Sequence, residues 1–318
     1  MKISDEKRNN GLPFSTRYFD HLSINRSAVE LRAATLPARR TVKKEYQAAW
    51  LLRAVSCIDL TTLAGDDTPG NVHRLCAKAL NPVRQDLLDA LEFPHLTVGA
   101  VCVYHSMIPE ARKALGNSGL PIAAVSTGFP AGKISLEQKL AEIRSSVEAG
   151  AAEIDIVISR ELVINNKWEE LYEEVKLCRQ ACGDAHMKTI LATGEIPTLT
   201  KVAKASWVSM MAGSDFIKTS TGKESVNATL PVSLVMVRAI RDYYELTGHK
   251  VGYKPAGGIQ KAKQALDFLI LIKEELGNEW LNNRLFRFGA SSLLGDIERQ
   301  LEHFVTGRYS AGYRHALA

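Results

Sequence analysis

The clearest folding signal in this chain is the stretch IAAVSTGFPAGKISLEQKLAEIRSSVEAGAAEIDIVIS, residues 122–159. Its two ends, residues 122–129 and 153–159, are short apolar runs of the kind found in β-strands. Between them, in residues 135–150, apolar residues recur three and four positions apart and a glycine closes the segment, as in an amphipathic helix. Strands that are nearly continuous in apolar residues lie in parallel sheets covered on both faces. The stretch therefore predicts one β-α-β unit of a parallel sheet.

The same alternation recurs along most of the chain. Eight β-rich runs are separated by segments long enough for crossover helices, at residues 56–63, 98–104, 122–129, 153–159, 187–193, 215–220, 251–257 and 285–291. Eight such units over roughly 250 residues match an α/β fold, the (β/α)8 TIM barrel. A doubly wound sheet is the alternative, but no Gly-x-Gly-x-x-Gly turn follows the first run. We therefore expect the barrel.

The domain organisation follows from the ends of this pattern. The chain has 318 residues, and no Pro-, Gly- or Ser-rich linker divides it, so we expect one large domain with extensions. The segment RRTVKKEYQAAWLLRAV, residues 39–55, predicts an extra helix before the first strand. We assign residues 39–318 to the barrel, including this helix and a C-terminal tail. Residues 1–38 form a basic N-terminal extension without a clear structural signal of their own.

The net charge of +5 raises the question of a nucleic-acid partner. Residues 1–44 hold ten Lys/Arg and four Asp/Glu, out of 40 and 35 in the whole chain, so the rest is close to neutral. The basic character therefore belongs to the N-terminal extension, for which a solvated or docking segment is the favoured interpretation. We expect no nucleic-acid partner.

Composition also bears on location and metal binding. No apolar run approaches the ~20 residues of a membrane helix, and the N-terminus lacks the apolar centre of a signal peptide. We therefore expect a cytoplasmic protein without a membrane partner. An odd number of cysteines without CxxC spacing, and scattered histidines, indicate reduced thiols and no metal site; the cysteines are Cys57, Cys76, Cys102, Cys178 and Cys182.

Two lysines stand at the ends of neighbouring predicted strands. Lys218 lies in SDFIKTSTGKE, residues 214–224, and Lys254 lies in VGYKPAGG, residues 251–258. In a barrel, side chains at the carboxyl ends of strands form the active site. If both lysines point inward, their repulsion and burial should lower at least one pKa and produce a neutral amine that can form a Schiff base with a carbonyl substrate. The alternative is that they reach solvent from the strand ends.

A third candidate is Asp155 in the run EIDIVIS. Strand alternation places it on the same face as Glu153 and Val157, opposite the two flanking isoleucines. A buried carboxylate is costly unless it is paired. Asp155 could transfer protons near the two lysines, or it could only neutralise a lysine such as Lys188. Spacing alone leaves both interpretations open.

Three loops contain residues suited to phosphate binding. They are STGK (220–223), AGG (256–258) and GASS (289–292), which follow the sixth, seventh and eighth strands. Glycines let the backbone approach a ligand, and serine hydroxyls and N–H groups donate hydrogen bonds. The loops after the last strands of a TIM barrel often bind phosphate. Together the three loops predict a phosphate site, although a single Gly-Gly would be weak evidence.

Several of these motifs together resemble the deoxyribose-phosphate aldolases. The motifs IDLTTL, EIDIVI, DFIKTSTGK, GYKPAGG and FGASSLL occur in the family's order, and the resemblance extends from about Val42 to the end. The segments ARRTVKKEYQAAWLL and HMKTILATGE are similar to the animal form. The resemblance implies a TIM barrel that reversibly cleaves 2-deoxy-D-ribose 5-phosphate to acetaldehyde and D-glyceraldehyde 3-phosphate. It also implies a lysine Schiff base, no metal or organic cofactor, and a place in deoxyribose phosphate catabolism.

The resemblance also assigns roles to individual residues. It implies that Lys218 forms the Schiff base, that Lys254 perturbs it, and that Asp155 relays protons. The positions similar to the family's phosphate loops are Gly222, Lys223, Gly257, Gly258, Ser291 and Ser292, and those similar to the substrate end of its pocket are Asp59, Thr61 and Cys102. Two positions depart from the family pattern: Gln260 stands where arginine is usual, which puts a side-chain contact to phosphate there in doubt, and His105 replaces a proline in a loop.

Some alternatives stay open at this point. The chain could be a transaldolase-type Schiff-base barrel acting on longer ketose phosphates, or a non-catalytic barrel that binds phosphosugars. In each case the expected partner is a small phosphosugar. A homodimer is possible, and the sequence leaves open whether the tail carrying Tyr309 and Tyr313 closes over the site.

Overall fold

The computed structural model describes residues 8–316; residues 1–7 of the predicted extension and the last two residues of the tail lie outside that range. Eight strands form in it: β1 (Ile58–Thr61), β2 (Ala100–Tyr104), β3 (Ile122–Ser126), β4 (Glu153–Val157), β5 (His186–Ile190), β6 (Phe216–Lys218), β7 (Gly252–Lys254) and β8 (Phe288–Ala290). The helices described within the same range are α1 (Arg26–Thr35), α2 (Lys44–Ser56), α3 (Pro69–Leu80), α4 (Gln85–Ala90), α5 (Ile108–Leu115), α6 (Leu136–Ala149), α7 (Arg160–Ile164), α8 (Trp168–Ala181), α9 (Leu199–Met211), α10 (Leu230–Thr247), α11 (Ala262–Glu275) and α12 (Leu293–Thr306). Short 3-10 segments occur at Thr16–Tyr18, Leu36–Ala38, His105–Met107, Thr193–Glu195, Asn278–Trp280 and Gly312–Arg314.

The strands form one parallel sheet that closes on itself. Their order is β7-β6-β5-β4-β3-β2-β1-β8. Backbone hydrogen bonds then join the two end strands, since Arg287 N donates to Tyr253 O at 3.1 Å and Gly289 N donates to Pro255 O at 2.9 Å. The predicted (β/α)8 barrel is confirmed and the doubly wound alternative is wrong, because the sheet has no open edges at β7 and β8.

The helices cover the outside of the barrel where the apolar periodicity predicted them. Helix α6 begins at a capping box formed by Ser135 and Gln138, and it ends at Gly150, whose φ of 108° lies in the left-handed region that favours glycine. The predicted extra helix is α2, which begins at Lys44 and packs against α11 and α12. None of the helices in residues 8–316 combines the length and apolar character needed to cross a membrane.

The described part of the N-terminal extension packs on the barrel. The Asn9 amide group donates to Met210 O at 2.8 Å and to Ser214 O at 2.9 Å, next to the start of β6. Leu12 N donates to Met211 O at 2.8 Å. The division of the chain at residue 38 stays a prediction, but residues 8–38 are anchored to the barrel at their first residues and by α1, which packs against α10.

The two faces of the strands separate the core from the interior of the barrel. On β4, Ile154 and Ile156 belong to the large hydrophobic core, whereas Glu153 and Asp155 contact charged residues of neighbouring strands. A small second apolar cluster, Cys102, Ala123 and Val125, lies on β2 and β3. The barrel interior therefore combines a charged layer with a small apolar patch. The five cysteines are buried free thiols.

Candidate active site

Lys218 and Lys254 lie side by side in the barrel interior. They are directly paired in the register of β6 and β7, and their side chains are 3% and 0% exposed. Each Nζ donates a hydrogen bond of 2.8 Å to the same atom, Oδ2 of Asp155. The structure thus excludes the alternative that these lysines extend into solvent.

Asp155 contacts three lysines at once. Its Oδ1 accepts a hydrogen bond of 3.0 Å from Lys188 Nζ, while Oδ2 accepts those of Lys218 and Lys254. This geometry is compatible with both interpretations that the sequence left open. The carboxylate neutralises Lys188, and it also contacts Lys218, the candidate nucleophile. Its part in proton transfer stays a prediction.

Three further charged residues complete the layer. Asp59 accepts hydrogen bonds from Lys254 and from Arg287. Arg287 also donates to Glu153 at 2.8 Å, and Glu153 in turn accepts from Lys188. The sequence reasoning missed Arg287, although it interrupts an apolar strand in the same way as the two lysines do.

The charges of this layer do not balance when every group is ionised. Among the described residues, the layer holds three carboxylates (Asp59, Glu153 and Asp155) and four cations (Lys188, Lys218, Lys254 and Arg287). An uncompensated buried charge is costly. Loss of one proton from one lysine would leave three charges of each sign.

The environment of Lys218 makes it the lysine that loses its proton most easily. Burial lowers the pKa of Lys218, and the neighbouring Lys254 lowers it further, against the opposing effect of Asp155. Burial alone would also lower the pKa of Lys254, but contacts with Asp155 and Asp59 raise it instead. Burial would raise the pKa of Asp155, yet Lys188, Lys218 and Lys254 hold it well below its usual range. The neutral amine is thus expected at Lys218.

Lys218 opens into a cavity of about 350 Å³. Thr61 lines it, as do all of the residues predicted for the phosphate loops: Gly222, Lys223, Gly257, Gly258, Ser291 and Ser292. Gln260, where the family usually has arginine, also lies on the lining. One amine and three glycine- or serine-containing loops therefore share one cavity, which is large enough for a small phosphosugar.

Two predicted pocket residues are buried in the barrel interior. Among the described residues that form its lining, Asp59 and Cys102 are absent. Asp59 is fully buried with its carboxylate against Lys254 and Arg287, and Cys102 is buried in the small apolar cluster of β2 and β3. Their assignment to the substrate end of the pocket stays a prediction.

The backbone donors of the STGK loop make hydrogen bonds within the loop. Gly222 N donates to the Glu224 carboxylate at 3.1 Å, and Lys223 N donates to the Thr221 hydroxyl at 3.1 Å. These backbone groups are therefore engaged inside the loop. The GASS loop differs, since Ser291 and Ser292 are exposed and stand directly before the first turn of α12, where the N-terminal end of the helix dipole favours an anion.

A larger groove, of about 670 Å³, lies between α2, α4 and α12. Its lining is mainly apolar, and its charged residues, Glu45, Arg53 and Glu92, are exposed. A buried nucleophile with a shifted pKa marks a reactive site better than cavity size does. The smaller cavity above Lys218 is therefore the candidate active site.

The C-terminal tail, as far as residue 316, does not contribute to the lining of this cavity. The rings of Tyr309 and Tyr313 are 96% and 91% exposed. The tail is attached to α12 through His315, whose Nε2 lies 3.0 Å from Glu302 Oε2.

Comparison with known proteins identifies the family. Residues 53–294 match the family model described as DeoC/LacD family aldolase. The chain belongs to this family. It is 58% identical over 307 residues to the deoxyribose-phosphate aldolase of Homo sapiens, which covers 95% of the chain and 96% of the relative. The Mus musculus deoxyribose-phosphate aldolase is 60% identical over 305 residues, with the same coverage.

The fold of this aldolase family is also seen in solved structures. The tetrameric deoxyribose phosphate aldolase from Aeropyrum pernix superposes with a TM-score of 0.57 at 22% identity, covering 87% of this chain and 98% of the other. At that identity the likeness supports the fold alone. The animal-type resemblance found in the sequence is confirmed by the mammalian relatives.

Proposed function

We propose that this aldolase catalyses the reversible cleavage of 2-deoxy-D-ribose 5-phosphate to acetaldehyde and D-glyceraldehyde 3-phosphate. The observation that carries the proposal is Lys218, a buried amine with a lowered pKa at the floor of a cavity that is also lined by the three candidate phosphate loops. Two mammalian relatives of 58% and 60% identity are deoxyribose-phosphate aldolases. The proposed substrate places an aldehyde at one end and a phosphate at the other.

The reaction begins with attack of the neutral Lys218 Nζ on C1 of the open-chain aldehyde. Loss of water gives an iminium ion, which withdraws electrons from the adjacent carbons. Removal of the proton from the C3 hydroxyl then breaks the C2–C3 bond, and its electron pair moves toward the iminium to form an enamine. D-Glyceraldehyde 3-phosphate leaves as the first product. Protonation of C2 and hydrolysis of the imine release acetaldehyde and restore the amine.

Asp155 and Lys254 lie next to Lys218 and assist these reaction steps. Asp155 Oδ2, 2.8 Å from Lys218 Nζ, is placed to exchange protons through the amine or through a bound water. Lys254 keeps its proton because Asp59 and Asp155 raise its pKa, and its charge favours the neutral form of Lys218. The catalytic roles of these two residues and of Lys218 are thus proposed on their mutual contacts.

The phosphate would be held at the opposite wall of the cavity. Ser291 and Ser292 before α12, Gly258 and the Lys223 side chain supply hydrogen-bond donors and positive charge there. Fixing the phosphate and the imine at once would hold the C2–C3 bond in one orientation relative to the proton-transfer groups. Thr61 lines the cavity on the β1 side.

The alternatives have less support. A transaldolase-type substrate or a non-catalytic binding role does not fit the named mammalian relatives, which match along 95% of the chain. A purely binding barrel would also not require a buried lysine pair around one carboxylate. A homodimer, a cytoplasmic location and a role in deoxyribose phosphate catabolism stay predictions.

Borohydride trapping tests the proposal directly. Reduction of the protein in the presence of 2-deoxy-D-ribose 5-phosphate should add the mass of a reduced adduct to the peptide that contains Lys218. Lys218→Met should abolish the adduct, while Lys201→Met, a change of a half-buried lysine on α9 whose amine contacts Ile164 O, should leave it intact. An adduct confined to Lys254 would reverse the assignment, and absence of any adduct together with absence of cleavage would refute the proposed function.

A further inference from the structure

A glutamate in the loop after β6 turns its carboxylate back into its own loop. Glu224 is 9% exposed although it stands in a surface loop. Its carboxylate accepts hydrogen bonds from Thr221 N at 3.0 Å, from the Thr221 hydroxyl at 2.8 Å and from Gly222 N at 3.1 Å. Successive backbone N–H groups arranged in this way form an anion-binding concavity. Here the anion is part of the chain itself.

This arrangement removes the backbone donors of the STGK loop from the cavity. Lys223 N donates to the Thr221 hydroxyl at 3.1 Å, so three consecutive N–H groups are satisfied internally. Glu224 is absent from the cavity lining among the residues described, whereas Gly222 and Lys223 belong to it. The buried carboxylate is therefore bonded to two lining residues, Thr221 and Gly222, and the loop presents the exposed Lys223 to the cavity.

The same segment is joined to the next loop of the barrel. The Asn227 amide group donates to Glu224 O at 3.0 Å, and Ala228 N donates to Ala256 O at 3.3 Å. A Cβ atom at Gly257 would lie only 2.6 Å from Asn227, so the two loops approach as closely as a glycine allows. The position of the STGK loop is thus coupled to the AGG loop across the phosphate side of the cavity.

We propose that Glu224 is a positioning residue for recognition of the phosphate. Its carboxylate acts as a built-in anion that shapes the STGK loop and directs Lys223 into the cavity. The substrate phosphate is then bound by Lys223, Gly258 and the two serines before α12, and the N–H groups of Thr221 and Gly222 take no part. This inference rests on the proposed function, since it assigns the phosphate of that substrate to one wall of the same site.

The chain offers a matched control. Glu142 Oε2 accepts a hydrogen bond of 2.9 Å from Gly128 N, in the loop between β3 and α6. That loop is absent from the described lining of the cavity. Glu142→Ala therefore deletes the same kind of contact, a glutamate bonded to a backbone N–H at the rim, on a loop away from the phosphate side.

The experiment compares two substrates that differ only in the phosphate. Specificity is the ratio of kcat/KM for 2-deoxy-D-ribose 5-phosphate to kcat/KM for unphosphorylated 2-deoxy-D-ribose. Glu224→Ala should lower this ratio at least fivefold, mainly through KM for the phosphate ester. Glu224→Gln keeps an oxygen that can accept from Gly222 N but loses the charge, so it should lower the ratio by a smaller factor, between about twofold and fivefold. Glu142→Ala should keep the wild-type ratio. A fall below fivefold in Glu224→Ala, or an equal fall in Glu142→Ala, would overturn the proposal.

Binding of inorganic phosphate, measured by titration calorimetry, separates this inference from the proposed function. Glu224→Ala should bind inorganic phosphate at least fivefold more weakly than the wild type, because the loop loses its shape. Tighter binding would overturn the proposal, since it would mean that the freed N–H groups of Thr221 and Gly222 are themselves the phosphate site. If the wild type cleaves neither sugar, the proposed function fails while the phosphate titration still tests Glu224. If Glu224→Ala does not fold, Glu224→Gln takes its place in the comparison of the two sugars. An intermediate fall in the specificity ratio is then expected, and an unchanged ratio would contradict the proposal.

Discussion

Removal of the Lys254 charge should shift the pH dependence of imine formation at Lys218. The two Nζ atoms both lie 2.8 Å from Asp155 Oδ2, so they are separated by no more than twice that distance. Two like charges about 5 Å apart repel by about 3 kcal/mol at an effective dielectric constant near 20. This is a factor of roughly one hundred in a protonation equilibrium. Lys254→Met keeps an unbranched apolar stem and deletes the charge, so it should slow imine formation at pH 7 by up to about a hundredfold.

The variant is expected to keep the barrel intact. Asp59 retains its contact with Arg287, and Asp155 retains Lys188 and Lys218, so neither carboxylate loses its last cation. The cost of leaving a buried charge without a partner is thus avoided. Thermal unfolding followed by circular dichroism would verify that the variant is folded at the pH values used.

The assay is the rate of reductive trapping with acetaldehyde between pH 6 and pH 10. Because the neutral fraction of Lys218 rises with pH, the deficit of Lys254→Met should shrink by at least tenfold across this range. Lys254→Arg retains the positive charge, so its profile should keep the wild-type midpoint even where packing lowers the rate. A Lys254→Met profile that is parallel to the wild type and merely scaled down would refute the electrostatic role.

Two further predictions concern other ionisable groups. Asp155→Asn is nearly isosteric, but asparagine is a poor proton acceptor, so turnover should fall by more than about a hundredfold. The affinity for inorganic phosphate should stay at the wild-type level. A loss of turnover below tenfold would contradict the relay role. Burial lowers the pKa of His186 from 6.5 to about 4, so the unfolded chain binds a proton that the folded chain does not. The free energy of unfolding should therefore decrease as the pH falls from 6.5 toward 4, and urea denaturation should show a shallower decrease in His186→Gln; equal slopes would exclude this residue as the cause.

The barrel could be predicted because its signals are local and repeated. Each strand is a short apolar run, and a helix such as α6 has a cap at both ends, Ser135 and Gly150. The pairing of Lys218 with Lys254 then follows, since consecutive strands of a barrel are neighbours. The inward direction of Asp155 follows from the period of two along β4.

What the sequence did not reveal depends on contacts between distant strands. The partners of Asp59 depend on the register of β1 against β8, which brings Arg287 to its carboxylate. A single charged residue near a strand, such as Arg287, is compatible with solvent exposure until the opposite carboxylates are known. Periodicity contains no information about those cross-barrel partners.

The contact made by Glu224 did have a sequence signal. Thr221 and Glu224 are three residues apart, the spacing of a capping box, in which the glutamate side chain bonds the backbone N–H of the residue three positions earlier. The structure shows this bond at Thr221 N. The neighbouring residues STGK also suggest a phosphate loop, and because both uses require the same N–H groups, spacing alone does not choose between them.

The charge balance of the interior layer bears on bond cleavage as well as on nucleophilicity. The layer is balanced when Lys218 is neutral, with three carboxylates facing Lys188, Lys254 and Arg287. On the proposed pathway, the iminium ion at Lys218 adds one positive charge, and the enamine formed when C2–C3 breaks removes it again. The surplus positive charge that favours the neutral amine therefore also destabilises the iminium ion relative to the enamine, and this favours cleavage of the C2–C3 bond. Lys254→Met should for this reason retain a deficit in sugar cleavage at pH 10, after trapping of acetaldehyde has recovered.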